Sequence, residues 1–168
     1  MNVIEKILAV QQHDSRIREL EKESKDVPRR KEEEQSRLRE HKEALSKAEE
    51  TLKGKMAEIK NLELDGDSRK EKINKLRAQQ LEIKTNKEFK TIDGEIKVIQ
   101  DGISALEDQQ LVVMEEVENV KSDVQQKKAA LTEEEKAVQK DVGLLDQRLV
   151  EIEAEQNKIR EIRTAEAK

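Results

Sequence analysis

The chain has 168 residues, of which 43% are charged and 33% apolar, and its formal net charge is −5. Phe89 is its only aromatic residue, and it has no cysteine. A compact domain of this length needs many large side chains to fill a core, so an ordinary globular fold is excluded, as are disulfides and zinc sites built on thiolates. The mild acidic balance also argues against a broad nucleic-acid-binding surface. High charge with low hydrophobicity suits either a disordered chain or a coiled coil, and periodicity decides between them.

The opening segment, Met1 to Gln12, is amphipathic, but Glu5 and Lys6 interrupt it before it reaches signal-peptide character. No stretch approaches the ~20 apolar residues of a membrane span. A soluble, cytoplasmic protein is the expectation. From Val3 a heptad series runs through Val10, Ile17, Ser24, Lys31, Leu38, Leu45, Leu52, Ile59, Gly66, Ile73 and Gln80, and eight of these twelve residues are apolar. Its companion, from Lys6 through His13, Leu20, Val27 and onward to Leu76 and Ile83, is apolar at six of twelve. Random placement at this composition gives about four in each. The periodicity predicts one helical arm over residues 3–83.

A second register begins at Ile92. One series, Ile96 to Glu166 in steps of seven, is apolar at nine of eleven positions. Its companion runs Ile92, Ile99, Leu106, Val113, Val120, turns charged at Lys127, Glu134, Asp141, Arg148 and Glu155, and recovers at Ile162. Continuing the first register would put Lys87, Lys90, Gly94 and Lys97 on the seam, so the two do not join. The break falls in residues 84–91. There Thr85 and Glu88 stand at capping-box spacing, and Asn86 tolerates turn conformations. The expected fold is all-α: a long antiparallel coiled-coil hairpin with arm one at 3–83, a tip at 84–91 and arm two at 92–164. At ~1.5 Å per residue, arms of this size would be roughly 120 Å long. With the tip near 84–86, Pro28 would face Gly143 and Gly66 would face Gly102, and these four positions are expected to kink the arms. A bend or short break is expected at Pro28. One continuous helix in a parallel dimer is the rival architecture, and pairing of two hairpins stays open.

Carboxylates at helical spacing, such as Glu32 to Glu34 and Glu133 to Glu135, read as a solvated face. His13 and His41 fall on the seam, where polar residues tune register. A two-stranded coil has no pocket in which to shift a pKa for acid–base work, so no catalytic, cofactor or metal residue is assigned and the chain is read as a non-enzyme. The tip is the candidate site. Residues 69–97 hold nine Lys/Arg and five Asp/Glu, a net +4, which leaves −9 for the rest. Lys84-Thr85-Asn86-Lys87-Glu88-Phe89-Lys90 are the candidate interaction residues, with Phe89 either an exposed anchor or a plug packed on Ile83 or Ile92. The charged seam toward the base should be loosely paired or able to open. At the extreme base, Ile4, Ile7 and Leu8 widen the apolar stripe beyond what a two-helix seam needs.

The stretch Ile83-Lys84-Thr85-Asn86-Lys87-Glu88-Phe89-Lys90-Thr91-Ile92, with an opening of the type Leu8-Ala9-Val10-Gln11-Gln12-His13-Asp14 and the pair Val27-Pro28, resembles a bacterial coiled-coil family. Its members carry a C-terminal C4-type zinc ribbon, and some act in flagellar or type III secretion and bind the sigma-54 factor. The resemblance spans essentially the whole chain, with Thr85–Phe89 its most specific part. It implies a kinked helical hairpin with an adaptor or chaperone-like role. Its protein partners would include a sigma factor and secretion or flagellar components. Phe89 stands where the family more often has Tyr, so any contact that needs the hydroxyl is lost. The ribbon's two Cys pairs are not in these 168 residues, which stop at Lys168, about where it would begin: the chain is either the helical part of a longer protein or a form that lacks the ribbon, and zinc is expected only where a ribbon follows. Alternatives are an RNA-polymerase-binding hairpin, a nucleic-acid-binding arm and a purely structural spacer. Gre-type polymerase factors need acidic tips, which Lys84, Lys87 and Lys90 oppose.

Overall fold

The computed structural model describes residues 2–167; Met1 and Lys168 lie outside them. Two helices form the hairpin, α1 (Val3–Glu82) and α2 (Asn86–Ala167). α1 opens on a reciprocal cap that the sequence reading missed. The Glu5 amide donates to Asn2 Oδ1 at 2.8 Å, and the Asn2 amide donates to Glu5 Oε2 at 3.3 Å. Two of the amides that a helix start leaves unpaired are thereby satisfied.

The molecule divides into two compact units. Unit 1 comprises Met1–Glu43 with Ala129–Lys168, and unit 2 is Ala44–Lys128. In both, the seam follows the two heptad registers. Every series position is buried or half-buried except Val3, Lys6 and Ile162 near the chain ends. A 3.5-residue repeat keeps one stripe of each helix facing the other.

In unit 2 the seam is mostly aliphatic. Ile73, Ile96 and Ile103 form a buried cluster, with Leu76, Ile92 and Ile99 packed against it. Ala48, Val113, Val117 and Val124 are buried farther along. Lys55 Nζ donates to Glu116 Oε2 at 2.7 Å across the arms, and this hydrogen bond raises the lysine pKa. Gly102 lies under the Arg69 guanidinium, one turn on from Gly66, while a Cβ added at Gly66 would meet nothing within 4 Å.

In unit 1, Leu20, Val27, Val138 and Ile152 are buried, and charged layers separate them. Those charges face one another across the arms. Arg148 clasps Glu23, and Arg16 Nε donates to Glu155 Oε1 at 3.0 Å. Lys31 pairs with Asp146, and Arg37 reaches Glu134 at 3.8 Å and Asp141 at 3.9 Å. At the base, Arg163 Nε lies 2.5 Å from Asp14 Oδ1, and His13 Nε2 lies 3.0 Å from Glu166 Oε2. His41 sits 4.0 Å from Glu134. Both histidines are thus seam residues opposite carboxylates.

The expected short break at Pro28 is absent. α1 runs through it, although proline can donate no hydrogen bond to the Ser24 carbonyl. Buried Val27 and Leu20 and the Glu23–Arg148 pair fasten the same turns to α2, so the missing bond is offset by packing.

Candidate protein-binding tip

Only Ile83-Lys84-Thr85 connect the helices, and Asn86 through Thr91 are the first turns of α2. Asn86 is helical and has no positive φ, so the turn needs no left-handed residue. Hydrogen bonds on both sides of the connection close it. The Ile83 amide donates to the Gln80 carbonyl at 3.3 Å and tightens the end of α1. The Glu88 amide donates to Thr85 Oγ1 at 3.4 Å, the hydroxyl half of the expected capping box. Gln80 Nε2 donates across the arms to the Phe89 carbonyl at 3.2 Å and to Asp93 Oδ1 at 3.4 Å. The seam position next to the turn is thus a polar clasp, where an aliphatic layer would otherwise stand.

Phe89 is 45% exposed and stands outside the aliphatic cluster, which extends only as far as Ile92 toward the tip. Its ring is therefore not a buried plug. Lys84, Lys87 and Lys90 are exposed, as are Thr85, Asn86 and Glu88. Of the nine cations in residues 69–97, Arg69 pairs with Asp65 at 3.2 Å and Lys75 with Glu71 at 3.9 Å. Among the described residues the other seven have no carboxylate partner. In unit 1, Arg16, Arg29, Arg30, Arg37, Arg39, Arg148 and Arg163 all do, whereas Arg18, Lys22, Lys25 and Arg160 do not. An uncompensated basic end with a half-exposed ring can attract and anchor a partner.

Two apolar residues near this end escaped the sequence reading: Leu81, 89% exposed, and Val98, 71% exposed. Both lie off the heptad series. Subtracting the register from the apolar residues would have revealed them, since what the seam does not use must face solvent. The same subtraction leaves Met56, Leu111 and Met114 on the outer surface of unit 2, and Ile4, Ile7 and Leu8 on unit 1.

The chain lacks the cysteines a ribbon would need. Among the described residues, no three His, Asp or Glu side chains are grouped to hold an ion. Among the described residues, no helix is long and apolar enough to cross a membrane.

Residues 10–168 match the CT398-like coiled coil hairpin domain. The chain belongs to this family. The solved structure of CT398 from Chlamydia trachomatis has the same fold, with a TM-score of 0.81 at 20% identity, covering 97% of this chain and 69% of that one. None of the curated proteins matches the chain in sequence. The family accounts for the paired helices and their seam. A coiled-coil hairpin of this kind fits a non-enzymatic role in protein interaction.

Proposed function

We propose that this hairpin is a cytoplasmic, non-enzymatic adaptor that binds protein partners through its tip, Lys84 to Lys90, with a sigma factor and secretion or flagellar components as the partners to test first. The observation that carries the reading is the tip itself: Lys84, Lys87 and Lys90 are exposed and have no carboxylate partner among the described residues, beside the half-exposed Phe89. Aromatic and basic anchors of this kind concentrate binding energy. Pro28, Gly66, Gly102 and Gly143 are among the weakest helix formers in the arms. In this proposal they let each unit flex as a partner binds. The partner names come from the family resemblance around Thr85–Phe89, and zinc enters only where a ribbon follows this chain.

The test is capture from native lysate on chain tethered by its C-terminus, comparing wild type with the Lys87→Glu/Phe89→Ala double variant. Both side chains are exposed, so helicity by circular dichroism should be unchanged. A sigma factor or secretion component held by wild type and lost by the variant supports the adaptor. Identical partners on both would remove the tip from consideration. Loss of RNA rather than protein would favour the nucleic-acid alternative.

A further inference from the structure

A groove lies beside the tip, on one flank of the hairpin. Leu76 and Ile99 form its floor, Lys72 and Glu95 its edges, and Gly94 and Val98 its open side, with a volume of about 390 Å³. It is too small for a folded domain but suits a few aliphatic side chains from one face of a helix. Leu76 and Ile99 already pack against the buried cluster, so the floor is fixed. Val98 is 71% exposed and has no use in the seam. Gly94 leaves a notch, since a Cβ there would meet nothing within 4 Å and its φ is ordinary. No contact and no backbone requirement inside this chain calls for glycine at that position. Glycine in mid-helix costs about 0.5–1 kcal/mol relative to alanine.

Charge around the notch selects the occupant. Lys87, Lys90 and Lys97 stand seven and four residues before Gly94 and three after it, which places them on the same outer side of α2. None of them, nor Lys72, has a carboxylate partner among the described residues. Three acids lie close: Glu95 on the edge, Asp93, which accepts from Gln80, and Asp101, seven residues after Gly94 on the same side of α2. Four free cations against these favour a negatively charged visitor. A groove between two parallel-sided helices accepts a third helix through its ridge of apolar side chains.

We infer that this groove docks an acidic amphipathic helix of a protein partner, its leucine-type side chains entering at Gly94 and Val98 and its carboxylates meeting Lys72, Lys87, Lys90 and Lys97. The inference rests on the adaptor reading and specifies the kind of segment that the partner supplies. Such a complex forms fast at low salt and weakens as salt screens the rim.

The probe is a three-heptad synthetic helix, fluorescently labelled, with Leu at the a and d positions and Glu, Gln and Ala elsewhere. Three controls accompany it: Lys replacing each Glu, Ser replacing each Leu, and an RNA oligonucleotide. The key variant is Gly94→Gln, which fills the notch and favours the helix, so lost binding cannot be ascribed to lost fold. Binding of the acidic probe should weaken on the order of tenfold in Gly94→Gln and in Val98→Ser, fall with added salt, and be unchanged in Val150→Ser. The control probes should not compete. Failure of the acidic probe to bind, equal binding to Gly94→Gln, or preference for the basic helix or the RNA would overturn the inference. Partner capture separates it from the broader reading. If Gly94→Gln retains a partner that Lys87→Glu/Phe89→Ala loses, the tip stands and the groove falls. If both variants retain every partner, both ideas fall.

Discussion

Arg148 on α2 holds Glu23 on α1 through two parallel hydrogen bonds, Nε to Oε1 at 2.7 Å and Nη2 to Oε2 at 2.9 Å. Arg148 occupies a seam position that the heptad pattern reserves for an aliphatic side chain, and Glu23 flanks the seam on the other arm. The pair shows how unit 1 stays closed with a charged seam, because cations of one arm meet carboxylates of the other, here in fork geometry. The Arg148 hydrogen bonds hold the Glu23 carboxyl below the usual carboxylate range, against the opposing effect of its partial desolvation. The arginine pKa is raised in turn.

Removing one member of this pair should cost more than replacing both. Arg148→Met leaves Glu23 half-buried and unpaired at pH 7 and should lower the Tm. Glu23→Leu/Arg148→Leu restores an aliphatic layer and should raise the Tm above that of Arg148→Met, to wild-type level or beyond. Thermal melts of the three proteins at one pH decide this.

The same pair sets an acid dependence. A depressed folded pKa means that the stabilisation is complete above the ordinary Glu pKa of about 4.3 and disappears as pH falls through the lower folded value. The Tm gap between wild type and Arg148→Met should therefore be widest near neutrality and close as the pH drops toward about 2. A gap that is constant across this range would show that Glu23 is not the titrating partner.

Burial separates the leucines sharply. Leu20 is fully buried and Leu81 is 89% exposed. Leu20→Ala should cost about 2–5 kcal/mol, while Leu81→Ala should stay within about 0.5 kcal/mol. Denaturant titration followed by circular dichroism reads both.

Glycine replacement should likewise depend on position. A Cβ at Gly54 meets nothing within 4 Å, so Gly54→Ala should stabilise by about 0.5–1 kcal/mol. At Gly102 the new methyl meets the Arg69 guanidinium, which also donates to Asp65, so Gly102→Ala should gain less. The same titration distinguishes them.

Much of the architecture was legible because a coiled coil writes its contacts into a single repeat. The series from Val3 and Ile92 marked the seam even at charged positions such as Glu134 and Arg148, which are half-buried as their phase requires. The phase break fell on residues 84–91, whereas the connection is 83–85 and Asn86 to Thr91 already belong to α2. Two features were not readable. Helix continuity through Pro28 depends on packing by Val27 and Leu20, which local propensity does not reveal. Pairing of the charged layers depends on which carboxylate faces which cation across more than a hundred residues of chain, and composition is silent on that. The candidate tip was visible as a cluster of lysines around Phe89. The groove at Gly94 and Val98 was not, because it is made of residues that the repeat leaves over.

The central claim is that protein partners engage the hairpin at its tip. A photo-crosslinking amino acid placed at Phe89, with a second protein carrying it at the exposed Val150 as reference, tests that most directly. The account predicts a discrete protein adduct from position 89, absent at position 150 and lost when Lys87→Glu is added. Adducts that are equal at both positions, or found only at 150, would contradict it.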